Sequence, residues 1–190
     1  AADYGSLFHA SISHFFELLE KRHLNWREIT DTQRNQLVEE SVAKAMEEYQ
    51  TTVFDSSARN KSMAGRIRRM TDRTLWALGC QWEHGAYKKT WHELDFGRAG
   101  GNGVTLPVEE GLELSLRGRI DRVDFAEEDG SLYVKVIDYK SGSTKLDLGK
   151  VYYGLQLQLV LYLEAAMAMA AKRNPDRKLI PAGIYYYNMK

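Results

Sequence analysis

The sequence predicts an α/β domain in which a mixed sheet with one crossover helix follows an N-terminal helical lobe. Apolar residues recur at helical spacing through residues 1–90, whereas most of the second half alternates apolar and polar residues as half-buried strands do. A strongly apolar helical run then precedes the last strand, and such a run is typical of the connection between parallel strands. A length of 190 residues fits one domain with a substantial core.

Three helices are expected in the helical lobe. The first ends at Arg22, the second runs roughly over Asp31–Phe54, and the third runs over about Lys61–Lys89. Either Asp3 or Ser6 could cap the first helix, because both side chains can accept a hydrogen bond from a free backbone amide.

Strands alternate with turn signals after the helical lobe. The glycine-rich run 97–103 is expected to be only a connection, because no Lys-Ser/Thr pair follows it as in a phosphate-binding loop. A crossover helix is predicted over Tyr153–Arg173, where Asn174-Pro175 stops it. The predicted strands are Trp91–Phe96, Leu112–Ile120, Tyr133–Tyr139 and Ile180–Asn188.

Two carboxylates are predicted to face each other across a hairpin. Asp129-Gly130 between alternating strands indicates a two-residue loop, and counting outward from it places Asp121 directly opposite Asp138. Like charges at such a position are destabilising unless a cation compensates them or a bulge shifts the register. Lys140 lies two residues beyond Asp138 and therefore on the same face of its strand. The strand pair thus directs two carboxylates and one ammonium group to a common point.

Metal-assisted phosphoryl hydrolysis is the chemistry that suits this point. Mg²⁺ prefers oxygen ligands. A bound ion lowers the pKa of a water molecule and neutralises phosphate charge. Lys140 would orient or help deprotonate the attacking water, or stabilise the negative charge of the transition state. The alternative is a strand-end ion pair of Asp138 with Lys140 or Arg122, since such pairs are common on solvated faces.

Four motifs carry a family resemblance. They are Gly5–His9 (GSLFH), Gly118–Asp124 (GRIDRVD), Val136–Gly142 (VIDYKSG) and Gly154–Tyr162 (GLQLQLVLY). With them the sequence resembles the RecB-family nucleases of the PD-(D/E)xK superfamily, and most closely the carboxy-terminal nuclease domains in the B subunits of AddAB-type helicase–nucleases. Ile120 stands where the superfamily's usual proline precedes the first aspartate, a departure that is common in RecB-like members.

The resemblance implies a restriction-endonuclease-like fold and a role for each matching residue. It implies a single nuclease domain over residues 1–190, with a mainly helical lobe over 1–90 that carries the histidine motif and a mixed-sheet catalytic core over 91–190. Gln158 and Tyr162 match the Gln-x-x-x-Tyr motif that lines the site and contacts DNA, and residues four apart share one helix face. The implied metal ligands are His9, Asp121, Asp138 and the backbone carbonyl of Tyr139, with Lys140 as the catalytic lysine beside the two aspartates.

Mg²⁺ is therefore the expected cofactor, and Mn²⁺ also suits a set that includes an imidazole. The B subunits that the sequence resembles carry a 4Fe–4S cluster held by four cysteines, whereas Cys80 is the only cysteine here. We expect the cluster in a longer parent protein and not in this chain, because the missing methionine and the strand-like end indicate a fragment.

Glu93 either helps place a water or metal ion or is an ordinary exposed strand residue. Asp124 is either a turn residue or the ion-pair partner of Arg122.

The formal net charge of zero conceals a basic cluster. Arg66, Arg68 and Arg69 belong to a cationic stretch of the third helix that could neutralise DNA phosphates, or could form only a solvated helix face. The sequence shows no motif that reads DNA bases, so we expect contacts with the DNA backbone and little sequence specificity. The resemblance implies single-stranded DNA and an AddA-like helicase–nuclease subunit as partners, in the bacterial cytoplasm. No apolar run approaches the roughly 18 residues of a membrane span, so no membrane partner is expected.

The expected function is that of a metal-dependent DNA nuclease, working as a single-strand exonuclease. The resemblance places it in double-strand-break processing and recombinational repair, as part of a helicase–nuclease complex. The alternatives are a catalytically inert DNA-binding or scaffold module, and a structural subunit whose acidic pair has no catalytic role.

Overall fold

The computed structural model describes residues 4–50, 58–97, 104–109 and 111–189. The chain divides into two compact units, of which one holds the residues up to His84 and the other spans Gly85–Asn188. The first unit is helical and the second contains all the described strands. That residues 1–190 act as a single nuclease domain stays a prediction. Among the described residues, no helix is both long enough and apolar enough to cross a membrane.

The first unit consists of helices α1 (Tyr4–Lys21), α2 (Asp31–Gln50) and α3 (Ala58–His84). Ser6 lies inside α1, so its prediction as the cap was wrong, and Asp3 and the predicted end of α2 at residues 51–54 lie outside the described residues. Helix α3 ends five residues before the predicted Lys89, because that residue opens a strand instead.

A capping box fixes the start of α2. The backbone amide of Thr30 donates to the Gln33 side chain at 2.9 Å, and the backbone amide of Gln33 donates to the Thr30 hydroxyl at 3.2 Å. This reciprocal pair satisfies two amide donors at the helix end.

The second unit is built on a four-stranded sheet of β1 (Lys89–Phe96), β4 (Gly118–Glu128), β5 (Ser131–Lys140) and β6 (Lys178–Asn188), which neighbour one another in that order. Strands β1, β4 and β5 are antiparallel neighbours, and β6 runs parallel to β5 after a helical crossover. This confirms the predicted mixed sheet with one crossover helix. The helices of this unit are the short α4 (Leu148–Tyr152) and the crossover helix α5 (Gln158–Arg173).

The hairpin between β4 and β5 has the predicted register. Glu128 faces Ser131, so Asp129 and Gly130 form a two-residue loop, and both have positive φ angles of 47° and 75°. Two positive φ values define the type I′ turn, whose twist matches that of the flanking strands. From this turn the pairing continues without a shift.

A separate two-stranded sheet, β2 (Val104–Glu109) with β3 (Leu112–Leu116), was not expected. The strand predicted over Leu112–Ile120 is wrong as one element, because it is interrupted at Arg117, where β3 ends before β4 begins. The alternation of apolar and polar residues continues across Arg117, but β3 pairs with β2, whereas β4 pairs with β1 and β5. Most of the glycine-rich run 97–103 lies outside the described residues.

The crossover helix begins later than predicted. Helix α5 starts at Gln158 instead of Tyr153, and the unpredicted α4 precedes it. Gly154 has a φ of 75°, a left-handed conformation that interrupts helical continuation between the two.

The core of the second unit lies between the sheet and α5. Small residues on α5, among them Ala165, Ala166 and Ala170, are fully buried within the same cluster as Val123, Val134 and Val136 of the sheet. Leu159 in the first turn of α5 also belongs to this cluster. Its burial fixes the amino-terminal end of the helix against the sheet.

Candidate active site

Asp121 and Asp138 lie together at one end of the β4–β5 pairing. The paired residues run as far as Arg122 opposite Ile137, so the two aspartates occupy the next position along the strands. Both are buried. The backbone amide of Tyr139 donates to Asp121 Oδ2 at 2.7 Å, so the Asp121 carboxylate is held by the strand that carries Asp138. The predicted register is confirmed as far as the pair of Arg122 with Ile137, one position before the two aspartates.

Lys140 lies beside these carboxylates. Its Nζ is 2.6 Å from Asp138 Oδ2 and donates to Gln158 Oε1 at 3.0 Å. Partial burial acts to lower the pKa of Lys140, but the hydrogen bond to Asp138 and the charges of Asp138 and Asp121 outweigh it and raise that pKa. Lys140 is therefore a firmly protonated ammonium group. The predicted ion pair with Asp138 is present, and it is the same contact that orients the lysine.

Gln158 and Tyr162 extend this contact chain along α5. Gln158 Nε2 donates to the Tyr162 hydroxyl at 3.1 Å, while the Gln158 carbonyl oxygen accepts from Lys140. The Tyr162 ring packs edge-on against Phe96 at 5.9 Å. Burial raises the pKa of Tyr162, the nearby carboxylates raise it further, and the Gln158 hydrogen bond opposes them. Both motif residues thus lie in the lysine's immediate surroundings.

Glu93 adds a third carboxylate to this end of the sheet. In β1, His92 faces Arg122 and Leu94 faces Ile120, which places Glu93 next to Asp121 in β4. One carboxylate oxygen of Glu93 lies within 4.8 Å of one of Asp121.

The Glu93 side chain is only 11% exposed and its Oε2 is 3.1 Å from Arg119 Nε, so the prediction of an ordinary exposed glutamate was wrong. Its φ of 47° is unusual for a residue other than glycine. Such backbone conformations are concentrated at functional sites. The sequence did not reveal the position of Glu93, because it does not show that β1 pairs with β4.

A buried ion pair lies in the sheet next to the carboxylates. Arg122 donates from Nε and Nη2 to the two oxygens of Asp124, at 2.6 and 2.7 Å. Thr90 Oγ1 donates to Asp124 at 3.0 Å, and Lys135 Nζ lies 3.1 Å from the same carboxylate. Asp124 is thus the ion-pair partner of Arg122, and the alternative of a turn residue was wrong. Burial raises the pKa of Tyr139, and the charge and hydrogen bond of Arg122 oppose this rise.

The carboxylates at this end of the sheet offer the oxygen donors that a hard divalent cation prefers. Glu93 and Asp121, on adjacent strands, place carboxylate oxygens within 4.8 Å of each other, and Asp121 and Asp138 each lie one position beyond the last paired residues of β4 and β5. Grouping like charges away from water is unfavourable unless positive charge compensates them. The backbone of Tyr139 is held by Asp121, but the role of its carbonyl as a ligand stays a prediction.

His9 lies in the other unit, on α1, where its ring packs edge-on against Phe8 with centroids 6.0 Å apart. Its role as a metal ligand stays a prediction.

The basic cluster lies on α3, and Arg66, Arg68 and Arg69 are all exposed. Arg66 lies over the ring of Tyr4 at 5.1 Å, and Arg68 pairs with Glu39 of α2. Exposure is compatible with DNA binding and with a solvated face, so their binding role stays a prediction.

Comparison with known proteins agrees with this geometry. Residues 1–190 match the family model described as the PD-(D/E)XK nuclease superfamily. The chain is 42% identical over 187 residues to the B subunit of an ATP-dependent helicase/deoxyribonuclease from Lachnoclostridium phytofermentans. It is 33% and 34% identical to proteins with the same name from Alkaliphilus oremlandii and Alkaliphilus metalliredigens. Each match covers 98% of this chain but only 15–16% of the relative.

The mixed sheet accords with the restriction-endonuclease-like fold that the motifs implied. The family model, the names of the relatives and the carboxylates beside Lys140 all point to the same nuclease family. The chain belongs to the PD-(D/E)XK nuclease superfamily.

Proposed function

We propose that this chain is a metal-dependent deoxyribonuclease domain that hydrolyses phosphodiester bonds in single-stranded DNA as an exonuclease. The observation that carries the proposal is the contact chain from Asp138 through Lys140 to Gln158, with Asp121 held at the same end of the sheet. An ammonium group beside paired carboxylates suits phosphoryl hydrolysis, in which negative charge must be bound and stabilised.

The carboxylates of Asp121 and Asp138 would hold Mg²⁺ or Mn²⁺, and Glu93 is close enough to Asp121 to contribute. His9 and the Tyr139 carbonyl are further ligands that the family motifs suggest. A bound divalent cation supplies positive charge to the phosphate and makes a water molecule more acidic.

Lys140 would stabilise the negative charge that develops on the phosphate in the transition state. Asp138 and Gln158 restrict the position of its Nζ from two sides. The ammonium group is thus oriented before substrate binds, and such preorganisation is the main source of electrostatic catalysis.

Gln158 and Tyr162 would contact the DNA strand beside the lysine. Gln158 accepts from Lys140 and donates to Tyr162, so one amide side chain links the charge-stabilising group to the binding surface. A displacement of Gln158 would therefore disturb both Lys140 and Tyr162.

The relatives' names suggest the biological setting. Each relative is named as the B subunit of an ATP-dependent helicase/deoxyribonuclease, so we propose an AddA-like motor protein as partner and break processing in recombinational repair as the role. A 4Fe–4S cluster would belong to a longer parent protein.

The assay for the activity is cleavage of end-labelled single-stranded DNA with Mg²⁺ or Mn²⁺. Wild type should degrade the strand, whereas Asp138→Ala and Lys140→Ala should each be at least about 100-fold slower, which is the typical loss on removing one transition-state contact. The matched control is Lys172→Ala, because Lys172 is an exposed lysine in the last turn of α5.

Equal cleavage by wild type and both site variants would end the nuclease assignment. Absence of cleavage in every sample, with DNA binding retained, would favour the inert DNA-binding module.

Metal binding is measured separately by Mn²⁺ titration calorimetry. Asp121→Asn should weaken the binding at least about tenfold, because it removes one charged ligand. The control is Asp176→Asn, an exposed aspartate in the turn before β6. Unchanged binding in Asp121→Asn would refute the ligand set.

A further inference from the structure

Large side chains are displayed to solvent between Lys140 and Gln158. Tyr152 and Tyr153 are 84% and 76% exposed, and Leu148 and Leu155 are also exposed. The two tyrosine rings, which we call the tyrosine pair, lie edge-to-face with centroids 5.2 Å apart. Large exposed apolar side chains that lie together mark binding surfaces.

The backbone beneath the tyrosine pair is held firmly. Gln156 accepts from the backbone amide of Asp147 at 2.9 Å and donates to the carbonyl of Lys145 at 3.0 Å. The Asp147 side chain accepts from the amide of Lys150 at 3.2 Å and so caps α4. The rings are therefore presented on a fixed support.

The same support is attached to the candidate active site. Gln156 Nε2 donates to the Tyr186 hydroxyl at 3.3 Å, and the Nζ of Lys140 lies 5.5 Å from the centroid of that Tyr186 ring. Asn188, which pairs with Lys140 across the sheet, donates to the Thr144 carbonyl at 2.9 Å. The support of the tyrosine pair and the lysine thus share one strand, β6, as their common base.

The charge of this surface suits phosphate. Lys145 and Lys150 are exposed on either side of Asp147, and the carboxylate of Asp147 is already used as the cap of α4. Exposed cations close in sequence to exposed aromatic rings suit the binding of single strands, because bases stack on rings while phosphates pair with cations.

We propose that the tyrosine pair, with Lys145 and Lys150, is a binding platform for single-stranded DNA that leads the strand to Lys140. Bases stack on the two rings, and the lysines contact the phosphates. The proposal deepens the nuclease function proposed above and rests on it for the direction of the strand. It assigns strand binding to a surface separate from the Gln158–Tyr162 pair.

The test is fluorescence anisotropy of the chain with a labelled oligo-dT strand, in the presence of a chelator so that no cleavage occurs. Tyr152→Ala/Tyr153→Ala should bind oligo-dT at least about fivefold more weakly, because each stacked base contributes about 1–3 kcal/mol. Tyr152→Phe/Tyr153→Phe keeps both rings and should bind within about twofold of wild type. An abasic strand of equal length keeps the phosphates but lacks bases, so the alanine variant should bind it as wild type does.

Equal oligo-dT affinity in wild type and the alanine variant overturns the proposal. So does an equal loss on the abasic strand, because stacking would then not be the cause. If the alanine variant retains DNA affinity but abolishes self-association in sedimentation velocity, the face is a protein interface instead. Thermal melts by circular dichroism verify that each variant is folded.

The nuclease assignment is tested separately from this platform. Cleavage by the wild-type chain is measured with metal present and does not involve the tyrosine variants, so failure of one proposal can be told from failure of the other.

Discussion

The buried carboxylate of Asp124 offers a direct test of how the sheet beneath the candidate active site is stabilised. Asp124 is fully buried and accepts two hydrogen bonds from Arg122, which is only 1% exposed. Asp124→Asn removes the negative charge with little change of shape. The Arg122 guanidinium then stays buried without the carboxylate that neutralises its positive charge. Breaking a buried pair in this way costs about 3–5 kcal/mol. Domains of this size are stable by about 5–15 kcal/mol, so the loss is about a fifth of the stability at the least and can reach all of it.

The measurement is urea unfolding followed by circular dichroism, with the free energy of unfolding taken from the midpoint and slope. The control is Glu40→Gln, which removes the exposed pair between Arg22 and Glu40 and should cost no more than about 1 kcal/mol. If Asp124→Asn costs no more than this control, the reasoning from burial is refuted.

A double variant separates the charge from the packing. Arg122→Met/Asp124→Leu removes both charges and should recover most of the loss, because apolar replacements of buried pairs are often neutral. A double variant as unstable as Asp124→Asn would show that the unpaired Arg122 guanidinium is not the cause.

Three further predictions concern packing, turn geometry and DNA binding. Leu159→Ala should lower the free energy of unfolding by about 2–5 kcal/mol in urea titrations, whereas exposed Leu148→Ala should stay within about 0.5 kcal/mol, and equal effects would contradict the packing described here. Gly130→Ala should cost about 1 kcal/mol in thermal melts because φ is 75°, and no loss would argue against the type I′ turn. Arg66→Gln/Arg69→Gln should reduce the slope of log affinity for single-stranded DNA against log salt by about 1.4, and an unchanged slope would leave these residues as a solvated face.

Local signals account for what the sequence predicted well. The Asp129-Gly130 turn sets the register of its own hairpin, so the positions of Asp121, Asp138 and Lys140 follow from counting residues. The crossover helix was also visible, because its apolar residues lie on consecutive turns.

Non-local pairing and single-residue conformations account for the errors. Glu93 approaches Asp121 only because β1 pairs with β4 in one register, and the long intervening chain hides that register from the sequence. The start of α5 was misplaced because Leu155 and Leu157 continue the apolar pattern, whereas the left-handed Gly154 interrupts the helix.

The hydrogen bond from the Tyr139 amide to Asp121 has a consequence for the thermodynamics of cation binding. A free aspartate loses rotational freedom when it binds an ion, at a cost of about 0.5–1.5 kcal/mol for an immobilised side chain. Here one carboxylate oxygen is already fixed by the backbone next to Asp138, so part of that entropy is lost on folding. A cation would therefore meet two carboxylates that move with one strand, and its affinity would depend on the rigidity of β5 as well as on the ligands themselves.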